Sequence, residues 1–113
     1  MPTSITRQEL KQLIDHGDVI VVETLPAMYF NQEHIPGAIN MPHDDIDAQA
    51  PKLLADKDAT IVTYCANTPC QNSGVAAAKL EKLGYTNVRE YVAGKQDWVA
   101  AGLPTESGVI TAA

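Results

Sequence analysis

The chain has 113 residues, 45% of them hydrophobic, and its 8 Lys+Arg against 14 Asp+Glu give a formal charge of −6. This is enough apolar material for a single domain, whose residues 107–113 read as a loose tail, and it excludes a mainly disordered chain. The acidic balance and the lack of any Lys/Arg cluster exclude nucleic acid and anionic membrane as main partners, because both require a positive field at the contact.

The opening Met1-Pro2-Thr3-Ser4-Ile5-Thr6-Arg7 has neither the basic start and apolar stretch of a secretory signal nor a transit-peptide composition, so the cytoplasm is the expected compartment. Thr6-Arg7-Gln8-Glu9 has the form of a capping box. With Leu10, Leu13 and Ile14 at helical spacing, it predicts a helix from about Arg7 to Asp15 closed by His16-Gly17. Val19-Ile20-Val21-Val22 is a continuous β-branched run, the pattern of a central strand covered on both faces. It is far shorter than the roughly 20 apolar residues that cross a bilayer. Pro26 starts a second helix through Met28 and Phe30, which Glu33-His34-Ile35-Pro36-Gly37 ends, leaving Ala38-Ile39-Asn40 as a short strand.

Met41 to Asp58 is polar and acidic, with a weak helical stretch around Leu53-Leu54, and Thr60-Ile61-Val62-Thr63-Tyr64 reads as a second buried strand. Cys65 follows it directly. Ala66 to Asn72 holds small and polar residues, Pro69 and Cys70. From Ser73 the pattern is helical, with Ala76, Leu80 and Leu83 on one face before Gly84. Val88 to Val92 is a further strand, and Gln96 to Ala101 a short helix carrying Trp98. Short strands alternating with short helices imply an α/β domain with a mostly parallel central sheet and helices on both faces in three layers.

Reactive groups in such sheets collect beyond the carboxyl ends of the strands, which is where Cys65 stands. The loop leads into a helix whose first amides are unsatisfied and partly positive, so they stabilise a thiolate at Cys65 and can hold a small anion. An inert core thiol is the plain alternative. The polar wall of Asn67, Thr68, Gln71, Asn72 and Ser73 instead suits an accessible pocket.

His34-Ile35-Pro36-Gly37-Ala38-Ile39-Asn40-Met41-Pro42, Val62-Thr63-Tyr64-Cys65 with its loop, Ala76 to Tyr85, and Gly94 through Trp98 to Gly102-Leu103-Pro104 together resemble the rhodanese-like single-domain sulfurtransferases. The resemblance runs from about Ile5 to Glu106. It implies a rhodanese-like fold and a sulfurtransferase that moves sulfane sulfur from thiosulfate or a persulfide to a thiol or cyanide through a Cys65 persulfide. Ala66, Asn67, Thr68, Cys70, Gln71, Asn72 and Ser73 would bind the donor, the backbone amides from Ala66 to Ser73 except Pro69 forming the cradle. Neither metal nor organic cofactor is implied. The partners are a small sulfur donor and its acceptor, which could also be a protein.

Three departures stand out. Ala66-Asn67-Thr68-Pro69-Cys70-Gln71-Asn72-Ser73 contains no cation, whereas many members place Arg or Lys there, so thiosulfate is expected to be a poor donor. The loop is slightly longer than the common short form. Glu23-Thr24-Leu25 replaces the frequent Asp-x-Arg, which puts an ion pair common in the family in question. Related phosphatases carry Cys-x5-Arg, and Gln71 stands in the Arg position, which argues against phosphoryl or arsenate chemistry.

Cys70 has three readings: a resolving thiol or second sulfur acceptor, a redox lock through a Cys65–Cys70 disulfide, or a sulfur set against the pocket wall with no chemistry. Two cysteines are too few for a disulfide framework and in a reducing compartment read as chemical groups. His16, His34 and His43 lack zinc spacing. His34 is read as bonding the turn it begins, His43-Asp44-Asp45 with Asp47 as an acidic surface loop, Trp98 as a packing anchor, and Arg89 and Lys79 as solvated charges. Lys95 is a weak candidate for the missing positive potential. The alternative function is a non-catalytic sulfur carrier or thiol redox-sensing module using Cys65 and Cys70.

Overall fold

A computed structural model describes residues 3–108. Its elements in chain order are β1 (Thr3–Ser4), α1 (Arg7–His16), β2 (Ile20–Glu23), α2 (Ala27–Gln32), β3 (Ile39–Asn40), a 3-10 turn (His43–Asp45), α3 (Ile46–Leu53), β4 (Ile61–Tyr64), α4 (Asn72–Lys82), β5 (Val88–Tyr91) and α5 (Gly94–Ala100). The five strands form one sheet in the order β1-β5-β4-β2-β3, with every pairing parallel. β4 therefore holds the centre. The Val19–Val22 run forms its inner neighbour β2, with strands on both sides.

Successive residues on the inner strands point to opposite faces, and each face has its own core. Val22, Ile61 and Val88 pack with Ile46 and Ala50 of α3 and Ala76, Ala77 and Leu80 of α4. Val21, Val62, Tyr64 and Tyr91 pack with Leu10 of α1, Phe30 of α2 and Trp98 of α5. This three-layer arrangement explains why β2 and β4 read as continuous apolar runs.

The predicted capping box exists: Thr6 accepts from the Glu9 amide while the Glu9 carboxylate accepts from the Thr6 amide. Strand β1 was not expected. It is a two-residue edge strand with both residues exposed, so it has no apolar pattern and is held through its backbone to β5. The weak helix expected around Leu53-Leu54 lies earlier, with Leu53 as its last residue and Leu54 buried beyond it. The start of the expected tail is anchored. Glu106 pairs with His34 through two backbone hydrogen bonds and the Gly108 amide donates to Asn31 O at 2.7 Å; residues 109–113 lie outside the described ones.

Candidate active site

Two halves of the chain diverge at the carboxyl end of the sheet: β2 leads out to β3 on one side, while β4 leads to β5 on the other. Cys65 leaves β4 at this divide, where α/β folds place their ligands. Thr24, leaving β2, clips the two strand ends together, its amide and hydroxyl both donating to Tyr64 O at 3.0 Å.

The loop after Cys65 is held by α5. The amides of Lys95 and Gln96 donate to Cys65 O and Ala66 O at 2.9 and 2.8 Å. In a trans peptide the carbonyl and the next N–H point opposite ways, so these bonds turn the amides of Ala66 and Asn67 away from α5. Gly94 permits this close approach. Its φ is +74°, and a Cβ there would lie 2.7 Å from Cys65 O and 2.9 Å from Ala66 C.

On the far side of the loop α4 begins at Asn72, with Gln71 before it giving no side-chain cap. The first turn of α4 thus keeps its partial positive charge facing the loop. Ser73 is buried in this turn, its hydroxyl donating to Glu90 Oε2 at 2.8 Å and lying 3.6 Å from Cys65 Sγ. A carboxylate therefore stands one hydroxyl away from the cysteine sulfur.

Cys65 and Cys70 are joined by a disulfide with a Cα–Cα distance of 6.3 Å. The reading in which Cys70 rests unbonded against the pocket wall is corrected by this bond. The Cys70 amide donates to Asn67 O at 3.1 Å, forming a turn that brings the two sulfurs together, so this amide is withdrawn from the expected cradle. The bond closes only a five-residue separation. It pins this one loop. Cys65 is 1% exposed, whereas Cys70, Asn67, Ala66 and Asn72 are half-buried and Thr68 and Gln71 are exposed. A cavity of about 410 Å³ adjoins Ala66, bounded by Glu33, Lys95, Gln96, Val99 and Ala100.

Lys95 does not supply free positive charge to the loop. Its ammonium sits 3.0 and 3.1 Å from the carboxylate oxygens of fully buried Glu23 and also donates to Tyr29 O and Glu33 O. Glu23 accepts a further hydrogen bond from the Tyr64 hydroxyl, which in turn accepts from the Ile35 amide. An ion pair thus exists at the departure from Asp-x-Arg, with its cation coming from α5. Burial pushes the Glu23 carboxyl above its usual 4.5, against the opposing hydrogen bonds from Tyr64 and Lys95. Burial and the Glu23 charge both raise the Tyr64 hydroxyl.

His34 bonds backward instead of into the turn it begins: Nδ1 lies 2.8 Å from Phe30 O, the ring stacks on Phe30, and Nε2 faces Glu106 at 3.6 Å. Lys79 is not simply solvated, since its ammonium donates to His43 O at 3.0 Å. Trp98 is the packing anchor expected of it, buried with its indole N–H on Pro104 O.

Gly94, Glu90 and the Glu23–Lys95 pair were not singled out as site residues in the sequence. Arg89 and Glu90 together interrupt β5 between buried Val88 and Tyr91, a signal that does not single out Glu90.

Residues 6–101 match the Rhodanese-like domain family. The chain belongs to this family. It is 33% identical over 105 residues to an HTH-type transcriptional regulator of Mycobacterium tuberculosis, covering 93% of this chain and 45% of that protein. It is 36% identical over 64 residues to the thiosulfate sulfurtransferase PspE of Escherichia coli, covering 57% of this chain and 59% of that one. The chain thus spans about half the length of these relatives. Among solved structures, the BH2092 protein of Bacillus halodurans superposes with a TM-score of 0.85 at 30% identity, over 93% of this chain and 77% of that one. The rhodanese-like fold is thereby established. Among the described residues, no helix is long and apolar enough to cross a membrane.

Proposed function

We propose that this rhodanese-like domain is a sulfurtransferase whose Cys65 carries sulfane sulfur as a persulfide. The observation that supports the reading most is the position of Cys65 between the centre of the sheet and the uncapped start of α4, with the loop carbonyls drawn off by α5. Reduced Cys65 is then a thiolate stabilised by the first turn of α4. It attacks the outer sulfur of a donor, the remainder of the donor leaves, and an acceptor thiol or cyanide removes the sulfur in a second displacement. The sulfurtransferase named among its relatives lends support to the same chemistry.

Donor binding falls to the loop, with the amides of Ala66 and Asn67, the side chains of Thr68 and Gln71 and the start of α4 at Asn72 and Ser73. A loop without a cation disfavours a dianionic donor, so persulfides of small thiols, or of protein thiols reaching the cavity beside Ala66, are the preferred class. Cys65 must be released from its disulfide before it can attack, so the chemistry needs a thiol reductant, and the thiol pool of the cytoplasm is the proposed source.

The test is turnover of pre-reduced protein with cyanide as acceptor, using glutathione persulfide or thiosulfate as donor. Thiocyanate formation by the wild type and background rates in Cys65→Ser are expected, with the persulfide the better donor. Turnover retained in Cys65→Ser would overturn the mechanism. Loading of one sulfur without turnover would favour a sulfur-carrier or redox-sensing module, the second reading that the Cys65–Cys70 bond supports.

A further inference from the structure

We propose that Cys70 gives the bound sulfur a second, reductive exit: its thiolate attacks Sγ of the Cys65 persulfide, expels the outer sulfur as sulfide and leaves the Cys65–Cys70 disulfide. This rests on the Cys65 persulfide reading and adds an activity to it, the release of sulfide from sulfane sulfur at the expense of external thiols.

The disulfide found in the structure is the product of that step. The turn from Asn67 to Cys70, closed by the Cys70 amide on Asn67 O, brings Cys70 Sγ onto Cys65 Sγ while α5 still holds Cys65 O and Ala66 O. The Cα–Cα distance of 6.3 Å lies within the range of ordinary disulfides. Cys70 thus reaches the inner sulfur of a Cys65 persulfide without any change in the strand or in α5. Attack there breaks the bond to the outer sulfur and forms the Cys65–Cys70 bond. The outer sulfur takes the electron pair and departs as hydrosulfide. It is the oxidant of the step, so peroxide or oxygen is not required.

Exposure then directs the return. In the oxidised loop Cys65 is 1% exposed and Cys70 half-buried, between exposed Pro69 and Gln71. An external thiolate therefore attacks Cys70 Sγ. Cys65 leaves toward the first turn of α4, the side that stabilises its charge and makes it the better leaving group. A second external thiol frees Cys70. The sum is one persulfide plus two thiols giving one thiol, one sulfide and one disulfide, with both electrons supplied by the external thiols.

The experiment is a single turnover without oxygen. Pre-reduced protein freed of reductant receives one equivalent of glutathione persulfide; sulfide is trapped with a bimane reagent and the protein mass is read. The wild type is expected to release one sulfide and become two hydrogens lighter than its reduced form. Cys70→Ser and Cys70→Ala, at a half-buried loop position, are expected to hold the extra sulfur on Cys65 and release sulfide on the order of 100-fold more slowly, the loss of an intramolecular thiol. Wild type that keeps the extra sulfur without releasing sulfide would overturn the proposal. So would Cys70 variants that release it at the wild-type rate. Folded Cys70 variants that never gain a sulfur would overturn the Cys65 persulfide reading itself, a failure distinct from the other two.

Discussion

Cys65 Sγ has a hydroxyl at 3.6 Å, and behind that hydroxyl a carboxylate at 2.8 Å. These neighbours oppose the helix start. The first turn of α4 favours the thiolate, while a negative charge at Glu90 disfavours it. In reduced protein the helix start is expected to prevail. The alkylation rate of Cys65 against pH, measured in Cys70→Ser so that one thiol reports, should inflect below the free value of about 8.5. In Glu90→Gln the inflection should fall further, since the repelling charge is gone. An inflection above the free value, or one that rises in Glu90→Gln, would contradict this account of the sulfur's surroundings.

Among the elements, α5 sets the shape of the loop although its one residue considered for the site, Lys95, is paired with Glu23 instead. Gly94→Ala places a methyl group 2.7 Å from Cys65 O at a φ of +74°. Destabilisation of about 1–3 kcal/mol in urea melts is expected from backbone strain of this kind, together with a loss of sulfur loading larger than the stability loss explains. A fully active Gly94→Ala would show that the clamp is dispensable. The Glu23–Lys95 pair joins α5 to the end of β2, and Lys95→Met would leave Glu23 buried without its cation, at a cost of about 3–5 kcal/mol. Its pH dependence has a definite sign. The Glu23 carboxyl titrates above 4.5 in the folded protein, so between 4.5 and that raised value the native state holds the extra proton and stability falls as pH rises. Glu23→Gln should lack this decline, so its stability relative to wild type should improve across that window and then level off.

The same elements show what could be read from the chain alone. α1, β2, β4, α4 and β5 announce themselves through periodicity and caps, because each buries a stripe or a face. Cys65 could be placed because it follows a buried strand and precedes a helix. The clamp at Gly94 and the pairing of Glu23 with Lys95 depend on contacts between residues far apart in sequence, and no local spacing encodes them. Lys95 shows this directly: the cation considered as a source of positive potential for the loop is paired with a buried carboxylate 72 positions away. The disulfide was legible as one of three readings, since a separation of five residues permits bridging without requiring it.

At the scale of the whole molecule, an all-parallel sheet covered on both faces leaves its carboxyl edge as the place for chemistry, and the central strand delivers Cys65 there. The molecule around it is acidic, with a formal charge of −6, and the loop carries no cation. Both features repel a dianion during approach and binding. Raising the salt concentration should therefore speed sulfur transfer from thiosulfate by screening the repulsion. A thiosulfate rate unchanged by salt would show that this long-range repulsion does not limit the donor.

The most direct measurement is the intact mass of pre-reduced Cys70→Ser after brief exposure to glutathione persulfide, set beside Cys65→Ser treated identically. The account predicts one added sulfur in Cys70→Ser, removed by cyanide with formation of thiocyanate, and none in Cys65→Ser that cyanide can remove. No added sulfur in Cys70→Ser, or an equal cyanide-labile gain in Cys65→Ser, would contradict it.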